Sequence, residues 1–452
     1  MTGKPGQRRP KGGPTSSRRR PSAPGSSPSR SPSTRRSSSP QRSPRPGRPS
    51  GPARSSGPAR PSRREAYTPQ ALLGSYRPDL VQVLAAADAP SFRYAQVLEH
   101  LLRRPLRPFA EASALPGDLR DGLEELGTSV LSVAAARSAA DGTTKLLLQA
   151  GDGAHIESVL MPYGNRMTVC ISSQVGCPVG CAFCATGAMG FRRNLSTAEI
   201  VDQLRAAAAA SEAGQRITNV VYMGMGEPLL NLGSVLDSIR VLTAPLGLGM
   251  GHRALSVSTI GIPTGILRLA RAEPQVNLAH SLHAADDETR ALLIPEGFRH
   301  PLATILEAAW EHFAITGRKL LVEYVLLAGV NDSPDDARRL AALLRGHVVA
   351  VNLLRWNPVR PQEVQPVVPA ARTERRAPGA PAPAMAGRQS QSGKPATGRA
   401  RAFYPSSPAA IAAFRVVLRT AHIETVVRQS KGAGIEAACG QLAGAPGSYV
   451  TD

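Results

Sequence analysis

Three cysteines fall within eight residues of this 452-residue chain, in the spacing Cys177-x-x-x-Cys181-x-x-Cys184. A loop of that length can fold all three thiolates onto one metal centre. Zinc in structural sites takes four protein ligands, and this loop offers three. A four-iron, four-sulfide cluster is the better match, because three thiolates leave one iron without a protein ligand and open to substrate. Gly176, Gly187 and Gly190 surround the trio, which argues against three structural thiols brought together by chance. Cys170 and Cys439 complete a set of five. An odd number, in a chain without a secretory signal, argues against a disulfide framework. Cys170 lies seven residues before Cys177 on a strand-like run, and Cys439 lies in a Gly- and Ala-rich terminal segment suited to a mobile loop. Taken alone, either one reads as a small buried hydrophobe.

A second group of candidates is spread along the chain. Gly224-Met225-Gly226-Glu227-Pro228 ends an apolar run; its glycines let backbone approach a ligand, and its carboxylate can accept from an ammonium group. Gly-x-Gly alone is a common turn, and His283 alone would be a packed histidine. Ser258, Ser281, Leu282, His283 and Asn352 stand at or near the ends of further apolar runs, so the set is more telling than its members.

The elements that must position these residues follow from patterning. Residues 166–173, 217–224, 254–259, 276–283, 319–327 and 348–356 are strand-like, and 196–211, 231–244, 302–315 and 333–345 are helix-like. Strand and helix alternating at this spacing predict parallel strands with helical crossovers: an α/β fold, a partial (β/α)6 barrel over 166–452. Reactive residues in such sheets lie at the carboxyl ends of the strands. Before the barrel, residues 65–125 read as a small helical accessory domain, and 126–165 as short strands that cap the barrel, joined by Asp-Gly turns. A proline-rich stretch at about 361–402 reads as a disordered insertion, after which a helix and a further strand resume.

Charge is distributed unevenly. Of a formal +21, residues 1–64 hold 17 Lys and Arg with no Asp or Glu, and residues 361–402 hold seven against Glu363 and Glu374, so the rest is close to neutral. The Ser, Pro and Arg monotony of 1–64 predicts a disordered basic tail, while 42% hydrophobic residues overall exclude a wholly disordered protein. No run of about 18 apolar residues spans a bilayer, and no apolar segment follows the basic head as a signal would require. A cytoplasmic protein is expected.

The segment CISSQVGCPVGCAFCATGAMGFRRNLS resembles the cluster loop of radical S-adenosylmethionine (SAM) enzymes, specifically the RlmN/Cfr family of adenine methyltransferases acting on 23S ribosomal RNA. The similarity continues through NVVYMGMGEPLLN, LSVSTIGI, QVNLAHSLHA, EYVLLAGVND, VNLLRWNP and GIEAACGQLAG, and covers about 67–452 apart from the insertion. It implies that Cys177, Cys181 and Cys184 hold a 4Fe-4S cluster. It further implies that Gly226, Glu227, Ser258, Ser281, Leu282, His283 and Asn352 bind SAM. Cleavage of SAM by the reduced cluster would yield a 5′-deoxyadenosyl radical in an enclosed site. Two SAM would be used per turnover. One methylates the residue matching Cys439; the radical from the other activates that methyl group, which adds to an adenine carbon. Cys170 would then pair with Cys439 in a disulfide and release the base, with Glu157 as proton acceptor.

The implied partners are 23S ribosomal RNA, with transfer RNA as a further substrate, and an electron donor such as flavodoxin; a monomer is expected. The target adenine must leave its stack. The helical domain resembles the family's RNA-binding module, and Arg192-Arg193 offers a local basic patch. GFRRNLS is like the branch that acts on carbon 2, whereas STIGI, PQVNL and VNLLRWNP lean toward the carbon-8 branch, so both positions stay open. Two alternatives are a radical SAM enzyme for a small molecule or protein, which would need neither Cys170 nor Cys439, and a non-catalytic RNA-binding assembly factor.

Overall fold

The computed structural model describes residues 67–104, 106–211, 215–359 and 402–444. The expectations for the tail at 1–64 and for all but the last residue of the insertion at 361–402 lie outside these residues.

Four helices come first: α1 (Pro69–Tyr76), α2 (Pro78–Ala86), α3 (Ser91–Arg103) and α4 (Gly117–Glu124). Pro69 and Pro78 open α1 and α2 at the position where a missing N–H is not needed. Strands β1 (Leu131–Ser138), β2 (Thr144–Ala150) and β3 (His155–Tyr163) follow as an antiparallel meander that continues into β4 (Arg166–Cys170). Gly142 and Gly153, both at positive φ, turn the chain after Asp141 and Asp152. A short hairpin, β5 (Gln174–Gly176) and β6 (Phe191–Asn194), encloses the cysteine loop.

The remaining strands are β7 (Asn219–Tyr222), β8 (Leu255–Thr259), β9 (Asn277–Ser281), β10 (Leu320–Leu326), β11 (Val349–Arg355) and β12 (Glu424–Arg428). The remaining helices are α5 (Ala185–Ala188), α6 (Thr197–Ala210), α7 (Leu232–Thr243), α8 (Pro263–Ala272), α9 (Asp287–Leu293), α10 (Leu302–Thr316), α11 (Pro334–Leu344) and α12 (Pro408–Thr420). One sheet runs β1-β2-β3-β4-β7-β8-β9-β10-β11-β12. From β4 to β12 all neighbours are parallel. Seven parallel strands joined by six crossovers make the partial barrel, which stays open because β1 and β12 do not pair. The strand expected to reach residue 173 ends at Cys170, where the chain leaves β4 to build the β5–β6 hairpin. Helix α8 fills the crossover from β8 to β9, and α9 precedes α10 in the crossover from β9 to β10.

The central strand β10, LLVEYVL, is a near-continuous apolar run buried on both faces, whereas the edge strand β12, ETVVR, is only partly covered. A capping box of Ser196 and Glu199 starts α6, and Gly317 in the left-handed region ends α10. The first four helices join the same core through a buried polar knot on α6. Tyr76 donates to Asp202 at 2.5 Å, Arg205 pairs with Asp202 at 2.7 Å, and Arg205 Nε donates to the Leu101 carbonyl at 2.8 Å. A second apolar cluster, including Val179, Phe183, Ile260, Val325 and Trp356, gathers where the parallel strands end. Among the described residues no helix is long and apolar enough to cross a membrane.

Candidate active site

The cysteine loop begins where β5 ends. Gly176 sits at φ +71, and a Cβ there would lie 2.0 Å from the Gly190 carbonyl oxygen, so only glycine lets the two arms of the loop close. Cys177 N–H donates to that same carbonyl at 2.8 Å. Gly187 packs as tightly: its missing Cβ would lie 2.8 Å from Cys181 N. The loop is thereby wound into a compact coil in which Cys184 N–H donates to Cys181 O at 3.1 Å.

All three thiols border the second apolar cluster. Burial raises each of them, Cys177 to about 12, and at Cys181 the charges of Cys177 and Cys184 add to the effect. Three mutually repelling sulfur donors against an apolar wall become thiolates only with a cationic guest. Among the described residues no three His, Cys, Asp or Glu side chains converge as a single-ion site; a four-iron cluster spans more than one ion. The trio fits an iron-sulfur cluster in donor chemistry and surroundings.

The Gly224–Pro228 turn is sewn to the residues that lead into the cysteine loop. Met225 N–H donates to Ser172 Oγ at 2.9 Å, and Ser173 N–H to Met225 O at 2.8 Å. Gly226, at φ +100, packs where a Cβ would meet Gln174 at 2.6 Å. Glu227 is buried, accepting from Leu229 N–H at 3.0 Å and Ile260 N–H at 2.9 Å, and burial lifts its carboxyl to about 7.

A cavity of about 180 Å³ opens at the carboxyl ends of the parallel strands. Cys170, Cys184, Cys439, Ser258, Ser281 and His283 all line it. Cys170 closes β4, and burial pushes its thiol up to about 12, with Cys439 adding and Arg428 opposing. Cys439 is exposed, on a segment strapped across the barrel mouth. On one side of that strap Ala185 N–H donates to Gly440 O at 2.8 Å and Thr186 Oγ1 to Leu442 O at 2.6 Å. His283 stands at φ +58, edge-on to Phe183. Val325 N–H donates to its Nδ1 at 3.1 Å, and burial draws its pKa to about 3, so the ring is neutral and carries its proton on Nε2.

Other expected residues stand back from this cavity. Cys177 borders a separate pocket with Pro178, Gly190 and Phe298, and Cys181, Gly226, Glu227 and Leu282 are not among the residues that line this cavity. Asn352 is in the middle of β11 rather than at a strand end, level with Glu323 of β10, to whose Oε1 its Nδ2 donates at 2.8 Å. Glu157 is wholly buried, paired with Lys145 at 3.1 Å and accepting from Ala443 N–H at 2.8 Å. Residues missed by the sequence reading include Glu323, Arg428 and Trp356, which line the cavity, and Lys145 behind it. Glu323 and Arg428 face each other at 3.7 Å. Only the register of β10, β11 and β12 brings them together.

Comparison with known proteins gives this geometry its context. The family model of the radical SAM superfamily matches residues 171–341. The probable dual-specificity RNA methyltransferase RlmN of Thermus thermophilus is 43% identical over 354 residues, covering 78% of this chain and 89% of the relative. The dual-specificity RNA methyltransferase RlmN of Syntrophobacter fumaroxidans is 40% identical over 366 residues, covering 81% and 95%. The crystal structure of a radical SAM methyltransferase from Sphaerobacter thermophilus superposes with a TM-score of 0.69 at 39% identity, covering 80% of this chain and 96% of that one. Similarity of this extent, over a cavity walled by cysteines at the strand ends, establishes that the chain belongs to the RlmN family and is a radical SAM RNA methyltransferase.

Proposed function

We propose that this enzyme methylates an adenine carbon, carbon 2 or carbon 8, in 23S ribosomal RNA and in transfer RNA. Cys439 carries the methyl group and Cys170 resolves the adduct. One observation carries the reading: Cys170, Cys184 and Cys439 line one cavity. An enzyme for a small molecule would need only the cluster loop, and an assembly factor would need none of the three.

Cys177, Cys181 and Cys184 would hold the 4Fe-4S cluster. Gly226, Glu227, Ser258, Ser281, Leu282, His283 and Asn352 would form the SAM site, some by contact and some by fixing the loops that make contact. When bound, cluster and SAM supply one-electron cleavage of a carbon–sulfur bond, with two SAM used per turnover and an electron donor such as flavodoxin. The chain supplies position. The Gly440 side of the strap is tied to α5, so the Cys439 sulfur is held beside the cluster loop. Cys170, as a thiolate, attacks that sulfur once the adenine is attached: the bond from Cys439 sulfur to the methylene carbon breaks as the disulfide forms, and its electron pair passes to the adenine-bound methylene, which takes up a proton to become the methyl group. For Glu157 to act as proton acceptor, its contact with Ala443 must open during turnover. The enzyme acts as a monomer in the cytoplasm, and the word dual-specificity in its relatives' names fits two classes of RNA.

The test is mass spectrometry of ribosomal and transfer RNA from cells with and without the gene. A methyl group lost from one adenine supports the reading, and the fragment ions distinguish carbon 2 from carbon 8. Identical RNA in both strains overturns it.

A further inference from the structure

Arg290, on α9, is a guanidinium with no exposure to solvent. Its Nη1 donates to Leu282 O at 2.7 Å and its Nη2 donates to Ile260 O, while Nε has no hydrogen-bond partner. Among the described residues no carboxylate stands within ion-pair distance of it. Asp287, one turn away, accepts from Leu302 N–H at 2.9 Å and attracts Arg290 only from beyond ion-pair distance. A charge held in the interior requires a counter-charge. Burial draws Arg290 down to about 10, which leaves it protonated at neutral pH. The imidazoles of His280 and His283 are drawn to about 3 by burial and then by Arg290, so they remain neutral.

The position of Arg290 identifies what it faces. Helix α9 docks on the cysteine loop through Ala182 N–H, the residue after Cys181, which donates to Leu293 O at 3.0 Å. Arg290 lies three residues before Leu293, on the same side of the helix, where its charge would favour a thiolate at Cys181. Both carbonyls it binds adjoin candidate site residues: Leu282 precedes His283, and Ile260 is the residue whose N–H holds Glu227.

We propose that Arg290 is the counter-charge of the iron-sulfur cluster on its Cys181 side and sets the potential at which the cluster accepts an electron. The inference rests on the cluster reading above. A four-iron core bearing three thiolates is anionic, and reduction adds one further negative charge. A fixed cation in a low-dielectric wall stabilises the reduced state more than the oxidised one. Arg290 therefore makes the cluster easier to reduce, acting as a positioning and tuning residue rather than a catalytic one.

The experiment uses the full chain, reconstituted anaerobically with iron and sulfide and titrated with dithionite under potential control, with the reduced cluster followed by electron paramagnetic resonance. At the wild-type midpoint, Arg290→Gln should show a reduced-to-oxidised ratio at least tenfold lower, a negative shift of about 59 mV for a one-electron couple. Arg290→Lys, which keeps the charge, should recover most of the difference. A loaded Arg290→Gln protein with the wild-type midpoint overturns the proposal. If Arg290→Gln takes up no cluster, loading by Arg290→Lys supports the charge requirement. Loss of loading in both, with both apoproteins melting cooperatively, assigns Arg290 to packing and overturns it. Wild-type protein that binds no iron and sulfide refutes the cluster itself, a failure distinct from the others.

Discussion

Lys145 and Glu157 form an ion pair at 3.1 Å in which neither side chain is more than 1% exposed, and the two grip opposite ends of the segment that carries Cys439. Lys145 Nζ donates to Glu436 O at 3.3 Å, and Glu157 Oε2 accepts from Ala443 N–H at 2.8 Å. Glu157 reaches this pair from β3 and Lys145 from β2, two positions apart in register, with Leu147 opposite Glu157 and Lys145 opposite Val159. The meander thus holds the two ends of the strap, while α5 holds Gly440 and Leu442 between them.

Breaking this pair should loosen the strap before it disturbs the barrel. Lys145→Met leaves a buried carboxylate uncompensated and should cost about 3–5 kcal/mol of stability by chemical denaturation. Alkylation mapped to Cys439 should accelerate at the same time. The double variant Lys145→Met, Glu157→Leu removes both charges and should recover part of the loss. Unchanged alkylation in a destabilised Lys145→Met protein would show that the strap does not depend on the pair.

How much of this was legible in the sequence depends on distance along the chain. The cysteine spacing, the glycines that close its loop and the alternation of strands and helices are local, and they led to the right class of fold. Cross-strand relationships are not local. Ser281, Glu323 and Asn352 stand level on β9, β10 and β11 only because of register, so Asn352 was expected at a strand end and Glu323 was overlooked. Lys145, Arg290 and Arg428 were unremarkable for the same reason: a basic residue in a list has no sign of burial, and their partners lie on other elements.

The tail offers a separate test, since none of the candidate site residues lies in it. Removing residues 1–64 takes away 17 positive charges. Counterion release ties affinity to the phosphates contacted, so RNA binding should weaken most at low salt and its dependence on salt should become shallower. SAM cleavage without RNA should be unchanged. Filter binding or fluorescence anisotropy across a salt series measures the first two; equal salt slopes for full-length and truncated protein would show that the tail does not touch RNA.

The two cavity cysteines should fail at different stages when replaced, and their separation depends on pH. Cys439→Ala has no sulfur to accept a methyl group, so it should neither be methylated nor attach to RNA. Cys170→Ala can still be methylated and add to adenine, but it lacks the resolving thiol. It should accumulate as a covalent protein–RNA adduct, seen as a nuclease-sensitive shift on a denaturing gel and absent from the double variant. In the wild type the rate of release should rise with pH. Burial is the largest cause raising the Cys170 thiol, so near neutrality it is mostly protonated. Well below the pKa of that thiol, each unit of rising pH increases the thiolate fraction, and with it the release rate, roughly tenfold. Arg428 counteracts the burial, so Arg428→Gln should slow release at a given pH and shift the profile to higher pH. Single-turnover release measured between neutral and alkaline pH checks this. A flat profile, or turnover by Cys170→Ala at the wild-type rate, would remove Cys170 from the mechanism.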